Sequence, residues 1–199
     1  MPDQLNVLLF GPQGSGKGTQ AKRVATDYRV PHVATGDMFR DAIAKRTPLG
    51  LQVEPIYDAG GLVPDELTIG LVRERLAEPD AARGFVLDGF PRNIAQAEAL
   101  DALLADLDRP LSAVLEFLIP DEICIERILG RAADEGRTDD TPDAIARRLE
   151  IYHRETEPLS EHYRSTGRLV GIHADRSVDE VWSEVQEALG QALDRVVPA

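Results

Sequence analysis

Apolar residues fall into short unbroken runs, separated by longer stretches in which they recur at helical spacing. Leu5-Asn6-Val7-Leu8-Leu9-Phe10 stops at Gly11 and reads as a strand buried on both faces. Phe85-Val86-Leu87, Ala113-Val114-Leu115-Glu116-Phe117 and Arg168-Leu169-Val170-Gly171-Ile172 read the same way, and Pro31-His32-Val33-Ala34 is a weaker run. Between them the spacing predicts helices over Gly18–Asp27, Asp65–Ala77, Ile94–Leu104, Glu122–Leu129, Asp143–Tyr163 and Val178–Leu193. Strands alternating with helices imply crossover connections, and so a parallel sheet covered on both faces. Two segments break the alternation. Thr35 to Val63 is helical without a central strand, and Ala132 to Thr141 is small and polar. Both read as excursions from the core, and such excursions often carry ligands.

At 199 residues the chain suggests one domain, and 43% hydrophobic with 29% charged residues is ordinary for a soluble globular protein. No apolar run approaches the ~20 residues of a bilayer span. Met1-Pro2-Asp3-Gln4 offers no basic n-region and glycines interrupt the first apolar run, so no signal peptide is expected. A single cysteine, Cys124, excludes an intramolecular disulfide and a Cys-built zinc cage. The cytoplasm is the expected compartment. Twenty-two basic against 35 acidic residues give −13, a field that repels nucleic acid and anionic lipid, so neither is an expected partner. An anionic ligand still fits where cations converge locally. Nineteen of the 22 basic residues are Arg, whose planar fork matches phosphate; base composition of the genome can also enrich Arg, so only positions decide.

Gly11-Pro12-Gln13-Gly14-Ser15-Gly16-Lys17 follows the first strand and precedes a helix, the context a GxxxxGK phosphate loop requires. Its glycines let successive N–H groups face phosphate oxygens, and the helix N-terminus adds positive potential. Lys17 can reach the terminal phosphates of a nucleoside triphosphate. The usual pattern continues with Ser or Thr; here Gly18 follows and Thr19 comes one later, which leaves a direct hydroxyl contact to magnesium open. Asp88 ends an apolar strand. Next to a phosphate loop it looks like a ligand to magnesium through water; otherwise it is a turn or cap residue.

With these residues in place the sequence resembles the adenylate kinases, within the nucleoside monophosphate kinases. The matching stretches are GPQGSGKGTQ (Gly11–Gln20), TGDMFR (Thr35–Arg40), DAGGLVPDEL (Asp58–Leu67), GFVLDGFPR (Gly84–Arg92), RTDD (Arg137–Asp140), Arg148-Leu149 and TEPL (Thr156–Leu159). The resemblance covers the chain nearly end to end. It implies a P-loop fold: a five-stranded parallel sheet flanked by helices, with a monophosphate-binding excursion and a short lid. The core would be 1–34, 64–130 and 143–199, the excursion 35–63 and the lid 131–142. Long-lid bacterial members can carry four zinc-binding cysteines; this lid has none, so structural zinc is not expected.

The resemblance also implies roles. Lys17, Arg92, Arg131, Arg137 and Arg148 would be the catalytic cations. Gly14, Ser15, Gly16, Lys17, Gly18 and Thr19 would wrap the ATP phosphates, and Arg131 would touch one. Arg127 would stack on ATP adenine, or else pair with Glu122 or Glu126. Arg176 would lend that base its backbone alone. Arg40 and Arg92 would hold the AMP phosphate, with Gly89-Phe90-Pro91 lining that site and Arg137 and Arg148 closing onto both nucleotides. Thr35 and Gly36 would meet AMP, although Thr35 or Asp37 could simply cap a helix. Gly61-Leu62-Val63 and the two-sided amide of Gln96 would read the AMP base. Asp139 and Asp140 would orient the lid arginines or bond ATP ribose, or serve as a helix-entry pair. His32, His153, His162 and His173 read as structural or exposed, and Cys124, Tyr152, Tyr163 and Trp182 as packing residues.

The implied reaction is ATP + AMP ⇌ 2 ADP, assisted by Mg2+, in a cytoplasmic monomer. A UMP/CMP kinase is the nearest alternative, favoured by Asn93 after Arg92 and disfavoured by Thr35 and Gln96. A nucleotide-binding switch without turnover is the other, and it should lack the full arginine set.

Overall fold

The computed structural model describes residues 4–135 and 139–196, with side chains described to 130 and from 139 to 194. The apolar runs form five strands: β1 (Leu5–Phe10), β2 (His32–Ala34), β3 (Gly84–Asp88), β4 (Ala113–Leu118) and β5 (Leu169–His173). They make one sheet in the order β2-β3-β1-β4-β5, with every pairing parallel. Pairs such as Val7↔Val86 and Val7↔Ala113 put β1 at the centre. The chain leaves β1 toward β2 and β3 on one side and later crosses to β4 and β5 on the other. The crevice outside the carboxyl end of β1 is therefore the topological switch point, where ligands of open α/β sheets bind.

The helices among the described residues are α1 (Lys17–Tyr28), α2 (Thr35–Ala44), α3 (Pro48–Asp58), α4 (Asp65–Leu76), α5 (Ile94–Asp106), α6 (Asp121–Glu135), α7 (Pro142–Ile151), α8 (Leu159–Arg164) and α9 (Val178–Val196). Because strand side chains alternate, Leu5, Val7 and Leu9 join Val24 of α1 and Val185 and Leu189 of α9 on one face. Leu8 and Phe10 join Val72 of α4, Leu100 of α5 and Leu159 and Tyr163 of α8 on the other. Each fully buried Leu or Val here contributes about 1.5–3 kcal/mol by leaving water.

The 35–63 stretch forms α2 and α3 with a small core of its own, Phe39, Val53, Tyr57 and Val63. Ala34, not Thr35 or Asp37, is the N-cap of α2, and it makes no side-chain capping bond. At the end of α3 the chain turns through Gly60 (φ +72°), whose backbone abuts α7. A Cβ on Gly60 would stand 2.7 Å from the Ala144 carbonyl oxygen, and its positive φ disfavours a side chain as well.

Two helices differ from the spacing-based expectation. The predicted Asp143–Tyr163 helix is interrupted. After α7 the backbone widens into a π-helical turn at Tyr152–Thr156 before α8 begins. The Thr156 hydroxyl there donates to the Arg92 carbonyl oxygen at 2.7 Å. An apolar repeat carries no trace of such a long-range bond. α6 runs on to Glu135, past the Leu129 at which its apolar repeat fades.

Candidate active site

The phosphate loop spans the turn from β1 to α1. Gly14 adopts φ +85°, and a Cβ there would sit 2.6 Å from the Cys124 carbonyl oxygen. The loop is thus shaped by glycine conformations and packed against α6. Lys17 reaches back over it, its Nζ donating to the Gly11 carbonyl (2.8 Å), the Pro12 carbonyl (2.7 Å) and Ser15 Oγ (3.0 Å). The ammonium therefore stands over the concave side of its own loop, where the N–H groups before α1 converge.

The loop borders a cleft of about 610 Å³, within the usual range of small-molecule sites. Of the residues singled out from the sequence, Gly14 to Thr19, Gly36, Arg40, Gly61, Leu62, Asp88, Gly89, Pro91, Arg92, Arg127, Arg148 and Arg176 line it. Thr35, Val63, Phe90 and Gln96 lie behind this lining and are buried. Thr35 Oγ1 donates to the Gly89 carbonyl at 2.8 Å and ties the start of α2 to the β3 exit. Arg137 lies outside the described residues, as does the Arg131 side chain.

Asp88 ends β3 at the cleft floor, beside Ala34 in the strand register. Its Oδ2 is 3.4 Å from His32 Nε2. Burial works against its charge, but the His32 hydrogen bond and the Lys17, His32 and Arg92 charges outweigh that and hold the carboxyl below its ordinary range. A Cβ on Gly18 would stand 3.4 Å from Asp88 Oδ2, so a Ser or Thr at 18 would bring a hydroxyl up beside this carboxylate.

Across the cleft three guanidinium groups gather around Tyr57. Arg40 donates to the Tyr57 hydroxyl and to Asp37. Its charge is favoured: Tyr57 and Asp37 together outweigh the effect of burial. Arg148 lies over the Tyr57 ring at 5.5 Å and donates to the Tyr57 carbonyl at 3.2 Å. It also pairs with Asp139 and Asp140, both at 2.9 Å. Gln13 of the phosphate loop joins this group, donating to Asp140 Oδ1 at 3.0 Å. Arg92 donates from Nε to the Gly89 carbonyl at 2.8 Å. Burial pulls its guanidinium down, and Arg148 and Arg40 add to that, against Tyr57 and Asp88. An anion entering here would relieve the crowding of positive charge.

Arg127 makes neither of the ion pairs considered from the sequence. Its guanidinium donates to the Ala174 carbonyl (2.8 Å) and the Arg176 carbonyl (3.4 Å), which fixes it on the cleft wall beside the β5–α9 loop. Gln96 is 1% exposed and engaged at both ends: Oε1 accepts from the Arg92 N–H at 2.8 Å and Nε2 donates to Asp65 Oδ1 at 2.7 Å.

Sequence reasoning passed over Tyr57, Gln13 and Asp65, and read His32 as structural or exposed. His32 had a usable signal: it lies on the strand that pairs alongside the one ending in Asp88. Tyr57 had none, because its partners come from α2 and α7. Cys124 is fully buried, as its apolar helix face suggests, and burial pushes its thiol up to about 11. Among the described residues no group of three or more His, Cys, Asp or Glu is placed to hold a metal ion, and no helix is long and apolar enough to cross a membrane.

What such a cleft can accept follows from its charges. The glycine loop and Lys17 suit a chain of phosphates, and the arginines opposite leave a second anion to be neutralised. The molecule is in this sense a phosphate-loop α/β protein of the nucleotide-binding class. Residues 9–168 match the family described as adenylate kinase. A relative named adenylate kinase from Cyanothece sp. is 46% identical over 185 residues, 93% of this chain and 95% of its own length. One from Stenotrophomonas maltophilia is 44% identical over 93% of this chain and 99% of its own. One from Xylella fastidiosa is 45% identical over 94% of this chain and 100% of its own. The chain belongs to the adenylate kinase family.

Proposed function

We propose that this protein transfers the γ-phosphoryl group of ATP to AMP, giving two ADP, and runs the reverse reaction with the same residues. The observation that carries this reading is that one cleft is lined by both the phosphate loop with Lys17 and the Arg40, Arg92 and Arg148 cluster. Family membership supports it, and nothing in the cleft favours a UMP/CMP kinase or a switch without turnover.

ATP lies with its phosphates along Gly14 to Thr19 and its base by Arg127 and the Arg176 backbone. AMP lies between Arg40 and Arg92, near Gly36, Gly61-Leu62-Val63 and Gly89-Phe90-Pro91, with Gln96 and Thr35 toward the base. An AMP phosphate oxygen attacks the γ-phosphorus in line, its new P–O bond forming as the bond to the β-phosphate oxygen breaks. That nucleophile is already ionised near neutrality, so no general base is needed. The protein supplies position and charge. Lys17 exchanges its loop carbonyls for phosphate oxygens, while Arg92, Arg131, Arg137 and Arg148 take up charge on the group in flight. Segment 35–63 serves as the monophosphate arm and 131–142 as a short lid that excludes water, since an open site would hydrolyse ATP.

Asp88 suits magnesium held through water: its carboxylate faces the cleft and stays ionised, and Gly18 leaves no hydroxyl to compete. The ion would neutralise β- and γ-phosphate oxygens. We place the enzyme in the cytoplasm as a monomer without structural zinc, in keeping with its −13 charge and single cysteine. Steady-state turnover with AMP, UMP, CMP and GMP tests the reading. AMP should give the highest kcat/KM, and a preference for UMP or CMP overturns it.

A further inference from the structure

The sequence marks Gln96 as an amide suited to a purine edge, but not which of its two ends faces which way. In the fold, those two ends are not interchangeable. Asp65 opens α4, and its half-buried carboxylate accepts from Gln96 Nε2 at 2.7 Å and from Asn93 Nδ2 at 3.0 Å. The Gln96 oxygen accepts from the Arg92 backbone N–H at 2.8 Å. Asn93 is itself held, its Oδ1 capping α5 through the Gln96 N–H at 2.9 Å. A carboxylate only accepts and a backbone N–H only donates. Turning the Gln96 amide over would set its carbonyl against the Asp65 carboxylate and its NH2 against the Arg92 N–H. Both hydrogen bonds would become like-pole contacts, in a side chain that is 1% exposed and has no water to turn to.

We propose that Asp65 is a specificity-determining positioning residue. Together with the Arg92 N–H it fixes the orientation of the Gln96 amide, and so which purine edge the acceptor site reads, adenine against hypoxanthine or guanine. The inference rests on the proposed AMP site. Adenine offers a ring-nitrogen acceptor beside an amino donor. Hypoxanthine and guanine offer a ring N–H donor beside a carbonyl acceptor, the same two places with polarity reversed. An amide in one orientation complements the first edge and, turned over, the second. Asp65 touches no substrate here; it decides which way the reader faces.

The test compares kcat/KM for AMP and for inosine monophosphate, with ATP as donor, in the wild-type protein and in Asp65→Asn. The Asn side chain keeps the shape but presents either an oxygen or an NH2 to Gln96, so of the two groups that fix the amide only the Arg92 N–H remains and turning it over costs less. The wild type should favour AMP by about 10²-fold or more. Asp65→Asn should narrow that ratio by roughly tenfold or more, while the KM for ATP stays unchanged. Asp65→Ser, whose hydroxyl both donates and accepts, should narrow it in the same direction if the Asn variant fails to fold. A structural role alone would lower use of both monophosphates alike and leave the ratio where it was; that result overturns the proposal. So does a wild type that uses inosine monophosphate within about tenfold of AMP. Gln96→Ala separates the two levels of the argument. If it leaves the KM for AMP unaltered, the AMP-site reading fails and takes this inference with it. If it raises that KM while Asp65→Asn leaves the ratio intact, this inference alone fails.

Discussion

At the phosphate-loop end of the cleft, Lys17 finds three hydrogen-bond acceptors within six residues of itself. At the opposite end, Arg148 reaches carboxylates eight and nine residues away and a carbonyl 91 residues away. The first end is a local device, a run of glycines and one lysine between a strand and a helix. The second exists only once α2, α3, α7 and the β3 exit have assembled around Tyr57. The difference separates what each end stands to lose. Loss of the Lys17 side chain should affect chemistry and spare the fold, whereas substitutions at the arginine end should disturb both.

The largest effect should come from Arg148→Met. Asp139 and Asp140 are 8% and 0% exposed at the side chain, and both would lose their ion pair with Arg148. Removing one member of such a buried group destabilises by about 3–5 kcal/mol, lessened by the bond Gln13 keeps to Asp140. Thermal or urea unfolding checks it, and adding Asp139→Asn with Asp140→Asn should restore much of the loss. An Arg148→Met protein as stable as wild type would erase the distinction between the two ends.

Lys17→Ala sharpens the comparison from the other side. It should lower kcat by about 10²–10³-fold, as expected for removing one charge-stabilising contact, and leave the unfolding midpoint nearly in place. A folded variant retaining more than about half its activity would be incompatible with the loop's proposed role.

Gln96→Ala comes next. It should raise the KM for AMP by an amount equivalent to roughly 1–3 kcal/mol and spare that for ATP. Steady-state kinetics with each substrate varied in turn would show it, and equal effects on both would contradict the division of the cleft into two subsites.

The smallest effect is a pH dependence on the flank of the arginine end. His153, in the π-helical turn, bonds Glu157 at 2.9 Å and Asp121 of α6 at 2.8 Å. Hydrogen bonds donated to Glu157 first and Asp121 second raise its pKa above the ordinary 6.5. A group raised in the folded state contributes stability that is fully present below its unfolded value and lost as pH climbs through the folded one. The side chain is 46% exposed, so solvent screening keeps the contribution below about 1 kcal/mol. Melting temperatures taken from about pH 5.5 to about pH 8.5 should fall slightly more for wild type than for His153→Gln.

The same contrast explains what could be read from the chain. Each strand was legible because a parallel strand buried on both faces is a continuous apolar run, as in Leu5–Phe10 and Ala113–Leu118. The phosphate loop was legible because its parts are consecutive. The break after Ile151 was not, since it answers to a bond between Thr156 and the distant Arg92. Tyr57 escaped notice because nothing near it in sequence distinguishes a core tyrosine from one holding two guanidinium groups. Gln96 was visible as a residue type, but the carboxylate that orients it lies 31 residues earlier.

The three α7 atoms nearest a Cβ at Gly60 all belong to the Ala144 main chain. A contact of that kind keeps no record of the side chain at Ala144. Position 60 itself is another matter. Any side chain placed there is a spacer, and its size sets the least separation the 35–63 arm and α7 can reach. A graded series from alanine to leucine would turn that one position into a set of mechanical stops.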